Sequence, residues 1–169
     1  SLLGSVLSYL EGLGVRPANI NILAAHRVGS VHTEDEINRQ LGDPISNGHR
    51  LVIHDPNRSD VLSSIGETPS YHTPLEINKA FLEADYRIGL GAILPDSFAG
   101  ATGGGMSVLP GVSGQKTIFR NMKLRVSGGK GVLDLACPAA VDILEASSLA
   151  GLDFAVNTVP DWRGFVASV

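Results

Sequence analysis

The sequence predicts an α/β fold: a layered, mostly parallel sheet with flanking helices and a C-terminal hairpin. Three observations lead there. Short β-rich runs alternate with helical patterns for most of the length, the order that builds parallel sheets from strand–helix–strand units. The chain has 169 residues, the size of one ordinary domain. Hydrophobic residues make up 43% and charged residues 18%, a balance that suits a packed core and not a disordered chain.

The elements follow in order. Leu3, Val6, Leu7 and Leu10 recur at helical spacing, so a helix is running from the first residues and stops near Gly14. No cap residue precedes it, so Ser1 is expected to be a boundary with sequence upstream. Asn19–Ala25, "NINILAA", reads as the first strand and meets His26. Thr33 with Glu36 has capping-box spacing and opens a helix that Gly42 closes. "RLVIHD", Arg50–Asp55, reads as the second strand, with a short helical turn around Val61 and Leu62.

"TPLEINKAFLEA" carries a helix-start signature, with Thr73 as N-cap, Pro74 at N1 and Glu76 at N3. Tyr86–Leu94, "YRIGLGAIL", is the third strand. Gly114–Asn121 reads as a helix and "MKLRV", Met122–Val126, as an edge strand. Pro138 opens a helix that stops at Gly151. Asp153–Val159, "DFAVNTV", is a strand, and "DWRG" turns into "FVASV" to make the hairpin.

Charge and composition exclude several function classes. The net charge of -4 argues against a phosphate-tracking nucleic-acid surface. No apolar run reaches the length of a membrane span, and no signal peptide is visible, so a cytoplasmic protein is expected. One cysteine, Cys137, allows neither an internal disulfide nor a cysteine zinc cage. The five histidines lack H-x-x-x-H spacing, so no self-contained metal site is expected. His32 and His49 lie in polar loops and are expected to be solvated, and His72 to shape the loop before the helix cap.

In open parallel sheets, ligands bind outside the carboxyl ends of strands. Three polar clusters fall at such ends: His26-Arg27, His54-Asp55, and Asp96 with the glycine-rich stretch after it. They point to one crevice. His26 is placed to act as a general acid or base, or to serve the fold alone. Asp96 is a second acid/base candidate or a cap. His54-Asp55 is a ligand pair or a turn closure.

The stretch Phe98–Gly114, "FAGATGGGMSVLPGVSG", has two readings. Gly103, Gly104 and Gly105 expose backbone N–H groups, and a helix starting just after them would aim its positive end at the same place, favouring a phosphate or carboxylate. Alternatively, the glycines only allow a tight strand-to-helix connection. The stretch is not a Walker A loop, because Met106 stands where the lysine before Ser107 would be. It does not fit G-x-G-x-x-G in a first βα turn, and G-x-S-x-G is absent.

Taken together and in this order, "ILAAHR…TEDEINRQLG", "IHD", "TPLEINKAFLEADYRIGLG", "FAGATGGGMSVLPGVSGQKTI" and "AGLDFAVNTV" resemble the N-terminal domain of the nickel-dependent lactate racemase family. The resemblance runs from about Ile20 to Val169. It implies two α/β domains with the active site between them. It also implies a nickel-pincer nucleotide that takes a hydride from the 2-position of a 2-hydroxy acid and returns it to either face, racemising or epimerising the acid. Residues 1–169 would be a single lactate-racemase-like N-terminal domain, shortened upstream and lacking the C-terminal domain, which a missing segment or partner chain would supply.

Residue by residue, the resemblance makes His26 the first catalytic histidine, and puts Asp96 where the family has the second. It makes Thr102, Gly103, Gly104, Gly105, Met106 and Ser107 the cofactor-binding loop, with Met106 in place of the lysine that bonds covalently to the cofactor. Met122 stands in place of the nickel-ligating histidine, after a retained Asn121. A thioether cannot form the amide-type link of a lysine, and it is a weak substitute for imidazole at nickel. The resemblance therefore leaves open a second reading: a family member that binds a phosphate-bearing ligand or a hydroxy acid without turnover.

Overall fold

The computed structural model describes residues 1–25, 48–124, 133–161 and 166–168. The chain divides into two compact units, Ser1–His54 and Asp55–Val169.

In the first unit, Ser1 caps α1 (Leu2–Gly12), its hydroxyl accepting the Gly4 N–H at 3.2 Å, which corrects the expectation that no cap residue precedes this helix. It ends through Leu13 into Gly14, whose φ of 92° is the left-handed geometry that glycine adopts freely. A short 3-10 turn, Pro17–Asn19, leads into β1 (Asn21–Ala24), which pairs in parallel with β2 (Arg50–Ile53). His49 is buried, with Nε2 2.9 Å from the Glu11 carboxylate. The expectation of a solvated His49 is thus overturned, because the ring closes onto α1. His26, His32 and the helix expected from Thr33 to Gly42 lie outside the described residues.

The second unit opens with a 3-10 turn, Ser59–Val61, and a hairpin of β3 (Leu62–Glu67) and β4 (Pro74–Asn78). The helix expected from Thr73 is therefore corrected over its first residues. Leu75 and Ile77 alternate inward and are fully buried, and that period of two decides for a strand over the capping-box spacing. Thr73 instead donates its hydroxyl to Asp142, and Asn78 is the real cap of α2 (Lys79–Leu82), accepting the Ala80 N–H at 2.9 Å.

β5 (Ile88–Ala92) pairs in parallel with β8 (Phe154–Pro160), and β9 (Val166–Ser168) pairs antiparallel with β8, which is the expected terminal hairpin. Between them lie a two-residue hairpin of β6 (Pro95–Asp96) and β7 (Gly100–Ala101), then a 3-10 turn, Gly104–Ser107. α3 (Gln115–Leu124) and α4 (Pro138–Leu149) complete the unit. The expected edge strand from Met122 is corrected: Met122, Lys123 and Leu124 extend α3 by its last turn. The helix expected directly after the glycines is a 3-10 turn, and the regular helix waits until Gln115.

The core of this unit gathers Leu75 and Ile77 from β4, Val108, Leu109 and Val112 from the segment after the glycines, Ile118 from α3, and Ala139, Ile143 and Ala146 from α4. Thr117 on α3 ties the helix to β4. Its hydroxyl donates to the Pro74 carbonyl at 2.7 Å and accepts the Glu76 N–H at 2.9 Å.

One carboxylate organises the interior. Asp142 on α4 is fully buried. It accepts the Thr68 hydroxyl at 2.6 Å, the Thr73 hydroxyl at 3.0 Å and the Asn121 amide at 2.8 Å. These donors provide what a buried carboxylate needs in place of water. They pin the β3–β4 loop and α3 to α4. Glu145, one turn along α4, accepts the backbone N–H of Ser70 at 3.0 Å and the Ser70 hydroxyl. His72 in that loop has a φ of 51° and an Nδ1 contact to Glu67 at 2.7 Å, so it shapes the loop as expected.

Candidate functional site

The glycine-rich loop of the second unit is the candidate site. It leaves the carboxyl end of β5, the edge at which ligands bind in parallel sheets. Thr102 anchors its entry: the hydroxyl donates to the Ala92 carbonyl at 2.6 Å and accepts the Leu94 N–H at 2.9 Å. Gly103 and Gly104 then take φ values of 88° and 52°, the left-handed region.

Gly104 is held at both ends by side chains. Its N–H donates to Asn157 Oδ1 at 3.1 Å, and its carbonyl accepts the Ser107 hydroxyl at 2.8 Å. Met106 N–H donates to the Gly103 carbonyl at 3.1 Å, and the Met106 carbonyl accepts the Gly111 N–H at 3.1 Å. The loop's own protein thus occupies these polar groups.

The glycines are explained mostly by neighbours inside the protein. A Cβ on Gly103 would lie 2.8 Å from Asn157 Oδ1. One on Gly105 would lie 2.9 Å from the Ser147 hydroxyl and 3.1 Å from Ile143 of α4. One on Gly111 would meet the Ser107 carbonyl oxygen at 2.2 Å. Gly104 differs, since a Cβ there would meet nothing within 4 Å. Of the four, it is the glycine that leaves room beside the loop.

Asp96 ends the β6 segment, half-buried. Its Oδ1 accepts the backbone N–H of Phe98 at 2.8 Å and of Ala99 at 2.7 Å. This is the cap arrangement, one of the two roles anticipated for it. His26, its anticipated partner, lies outside the described residues. His54 is fully buried at the end of the first unit, and its backbone N–H donates to the Ala24 carbonyl at 3.0 Å. Asp55 turns the chain, accepting the Asn57 N–H at 2.9 Å. Asn121 is buried on the Asp142 carboxylate and the Ala139 carbonyl, whereas Met122 beside it is 42% exposed on α3. Among the described residues no group of three or more His, Cys, Asp or Glu is placed to hold a metal ion. Among the same residues no helix is long and apolar enough to cross a membrane.

Sequence reasoning missed Asn157, which it treated only as part of a strand. The available signal was an amide side chain inside the apolar run "FAVNTV". Asp142 was missed in the same way, as a lone acid in "AAVDIL".

Comparison with known proteins places this geometry. The model of the lactate racemase N-terminal domain matches residues 1–131. A lactate racemase of Thermoanaerobacterium thermosaccharolyticum is 33% identical over 150 residues, covering 86% of this chain and 35% of its own length. A lactate racemase of Lactiplantibacillus plantarum is 38% identical over 104 residues, covering 62% of this chain and 24% of its own length. The chain therefore spans about a third or less of the curated relatives it matches.

Among solved structures, the lactate racemase apoprotein of T. thermosaccharolyticum superposes with a TM-score of 0.79 at 32% identity, over 89% of this chain and 36% of that one. A Thermotoga maritima protein shares the fold, with a TM-score of 0.78 at 19% identity over 97% of this chain and 44% of that one. The fold is thus shared with the lactate racemase apoprotein, and the chain belongs to the lactate racemase N-terminal domain family.

Proposed function

We propose that this domain binds an oxyanion-bearing ligand at the glycine loop, either a phosphate-bearing nucleotide or a 2-hydroxy acid. It does so without the family's covalent cofactor link and without turnover through the family's mechanism. Met106 is the observation that carries this reading. It occupies the loop position at which the family resemblance expects a lysine, and its thioether has no amine with which to form the link.

Two further observations support it. Met122, where the resemblance expects a nickel-ligating histidine, offers a thioether on the exposed side of α3. Asp96, where a second catalytic histidine is expected, spends one carboxylate oxygen on two backbone amides. The donor set does not fit a lysine-tethered, histidine-ligated nickel-pincer nucleotide, so no step is routed through that group. The space beside Gly104 supports a non-covalent guest. The rest of a complete site is expected from sequence corresponding to the remaining length of the relatives, on this polypeptide or a partner.

Racemisation at C2 is the test. The longest natural form of the protein, expressed with the family's cofactor-making enzymes, is incubated with single enantiomers of lactate and other 2-hydroxy acids. The reading expects binding, seen as chemical-shift changes in the loop, and no appearance of the opposite enantiomer. Appearance of the opposite enantiomer would establish turnover instead, with His26 and Asp96 as the pair to examine for proton transfer.

A further inference from the structure

We propose that Asn157 is a positioning residue that latches the glycine loop with its carbonyl oxygen and offers its amide NH2 to the loop's ligand. This inference rests on the ligand reading above and assigns the residue that selects an oxygen acceptor.

The latch is built from three sides. In the sheet register Asn157 on β8 lies opposite Gly91 on β5, and a Cβ on Gly91 would come within 3.0 Å of Asn157 Oδ1. A Cβ on Gly103 would come within 2.8 Å of the same oxygen. The Gly104 N–H completes the seat at 3.1 Å. Glycines on two separate elements therefore make room for one side-chain oxygen. That oxygen sits where the loop's left-handed turn presents an N–H, as an anion would if the seat were empty.

The orientation of the amide is fixed by this donor. Only a carbonyl oxygen accepts the Gly104 N–H, so Oδ1 is spent on the loop and Nδ2 is the donor that the amide has left. Among the described residues Nδ2 has no hydrogen-bond partner, and Asn157 is half-buried and not sealed in the core. An NH2 group held by its own carbonyl is a preorganised donor. It suits ligands carrying acceptor oxygens, which are phosphates and carboxylates, and gains nothing from cationic ones. Ser107, whose hydroxyl holds the Gly104 carbonyl, braces the same residue from the other side.

The experiment compares the parent protein in its longest natural form with Asn157→Asp and Asn157→Ala. Two readouts are taken. One is hydrogen-exchange protection of the Gly104 amide. The other is affinity for inorganic phosphate and, separately, for lactate. Asn157→Asp keeps an acceptor for Gly104 and replaces the donor with a negative oxygen. It should keep the Gly104 protection and bind the preferred anion at least about tenfold more weakly. Asn157→Ala should lose the protection and the affinity together. Should Asn157→Asp fail to fold, Asn157→Ser removes the NH2 without adding charge and should weaken binding about threefold or more.

Binding of phosphate but not lactate supports the proposal with a nucleotide phosphate as the guest. Binding of lactate but not phosphate supports it with the substrate carboxylate as the guest. A parent that binds and an aspartate variant that binds equally well overturn the role of Asn157 and leave the ligand reading standing. A parent that binds neither anion overturns both, while the Gly104 protection still reports on the latch.

Discussion

The side-chain oxygen of Asn157 lies 3.1 Å from the backbone nitrogen of Gly104, so a strand residue late in the chain fixes the loop that follows β5. The loop's shape is thus a tertiary property. Its glycines answer to Asn157, to α4 and to the loop's own carbonyls more than to any ligand.

Glycine substitutions should separate along that line. Gly111→Ala drives a methyl into the Ser107 carbonyl, a backbone atom that cannot step aside, and should cost about 3 kcal/mol. Gly104→Ala meets open space and carries only the cost of a left-handed alanine, about 1–2 kcal/mol. Urea denaturation of both variants checks the order, and an equal loss at the two positions would contradict it.

Neighbouring residues on α3 should behave oppositely. Asn121→Ala leaves the buried Asp142 carboxylate short of a donor and should cost about 1–3 kcal/mol. Met122→Gln lies on the exposed side and should change stability by no more than about 0.5 kcal/mol. The same denaturation series reads both.

Asp142 itself should be the most sensitive polar residue of the interior. Asp142→Ala removes the shared acceptor of Thr68, Thr73 and Asn121 at once, and with about 1–3 kcal/mol for each buried donor left unpaired it should cost about 3 kcal/mol or more. Protection of the amides in the 68–73 loop should fall with it, because Glu145 alone then holds that loop to α4. A loop that stays protected would show that the Glu145 contact suffices.

At the surface, the Arg58 hydrogen bond holds the Asp60 carboxyl below its ordinary value. A carboxyl lowered on folding stabilises the fold above its unfolded value, and that stabilisation is lost as pH falls through the folded one. Asp60 is fully exposed, so the effect on stability is small. An NMR titration should show Asp60 moving up toward the ordinary aspartate value in Arg58→Ala.

Several elements were legible from periodicity and punctuation alone. β1, β2, β5 and β8 read as apolar runs with polar ends, and the Pro138 start and Gly151 stop framed α4. "TPLEIN" was misread because Thr73, Pro74 and Glu76 mimic a helix start, while the alternation of Leu75 and Ile77 runs only five residues before α2 takes over. β3, "LSSIGE", is too polar to announce itself, and it forms by pairing with β4. The loop was legible as a glycine-rich stretch. Its latch was not, since the link between Gly104 and Asn157 spans 53 positions and no local pattern encodes it.

The most direct test of the central claim is intact mass together with nickel content of the longest natural form, expressed with the family's cofactor-making enzymes. A non-covalent loop predicts the polypeptide mass alone, for the parent and for Asn157→Asp alike, and no stoichiometric nickel. Added mass on the parent with stoichiometric nickel would contradict the account, because Met106 would then not be what keeps the cofactor from being bound covalently.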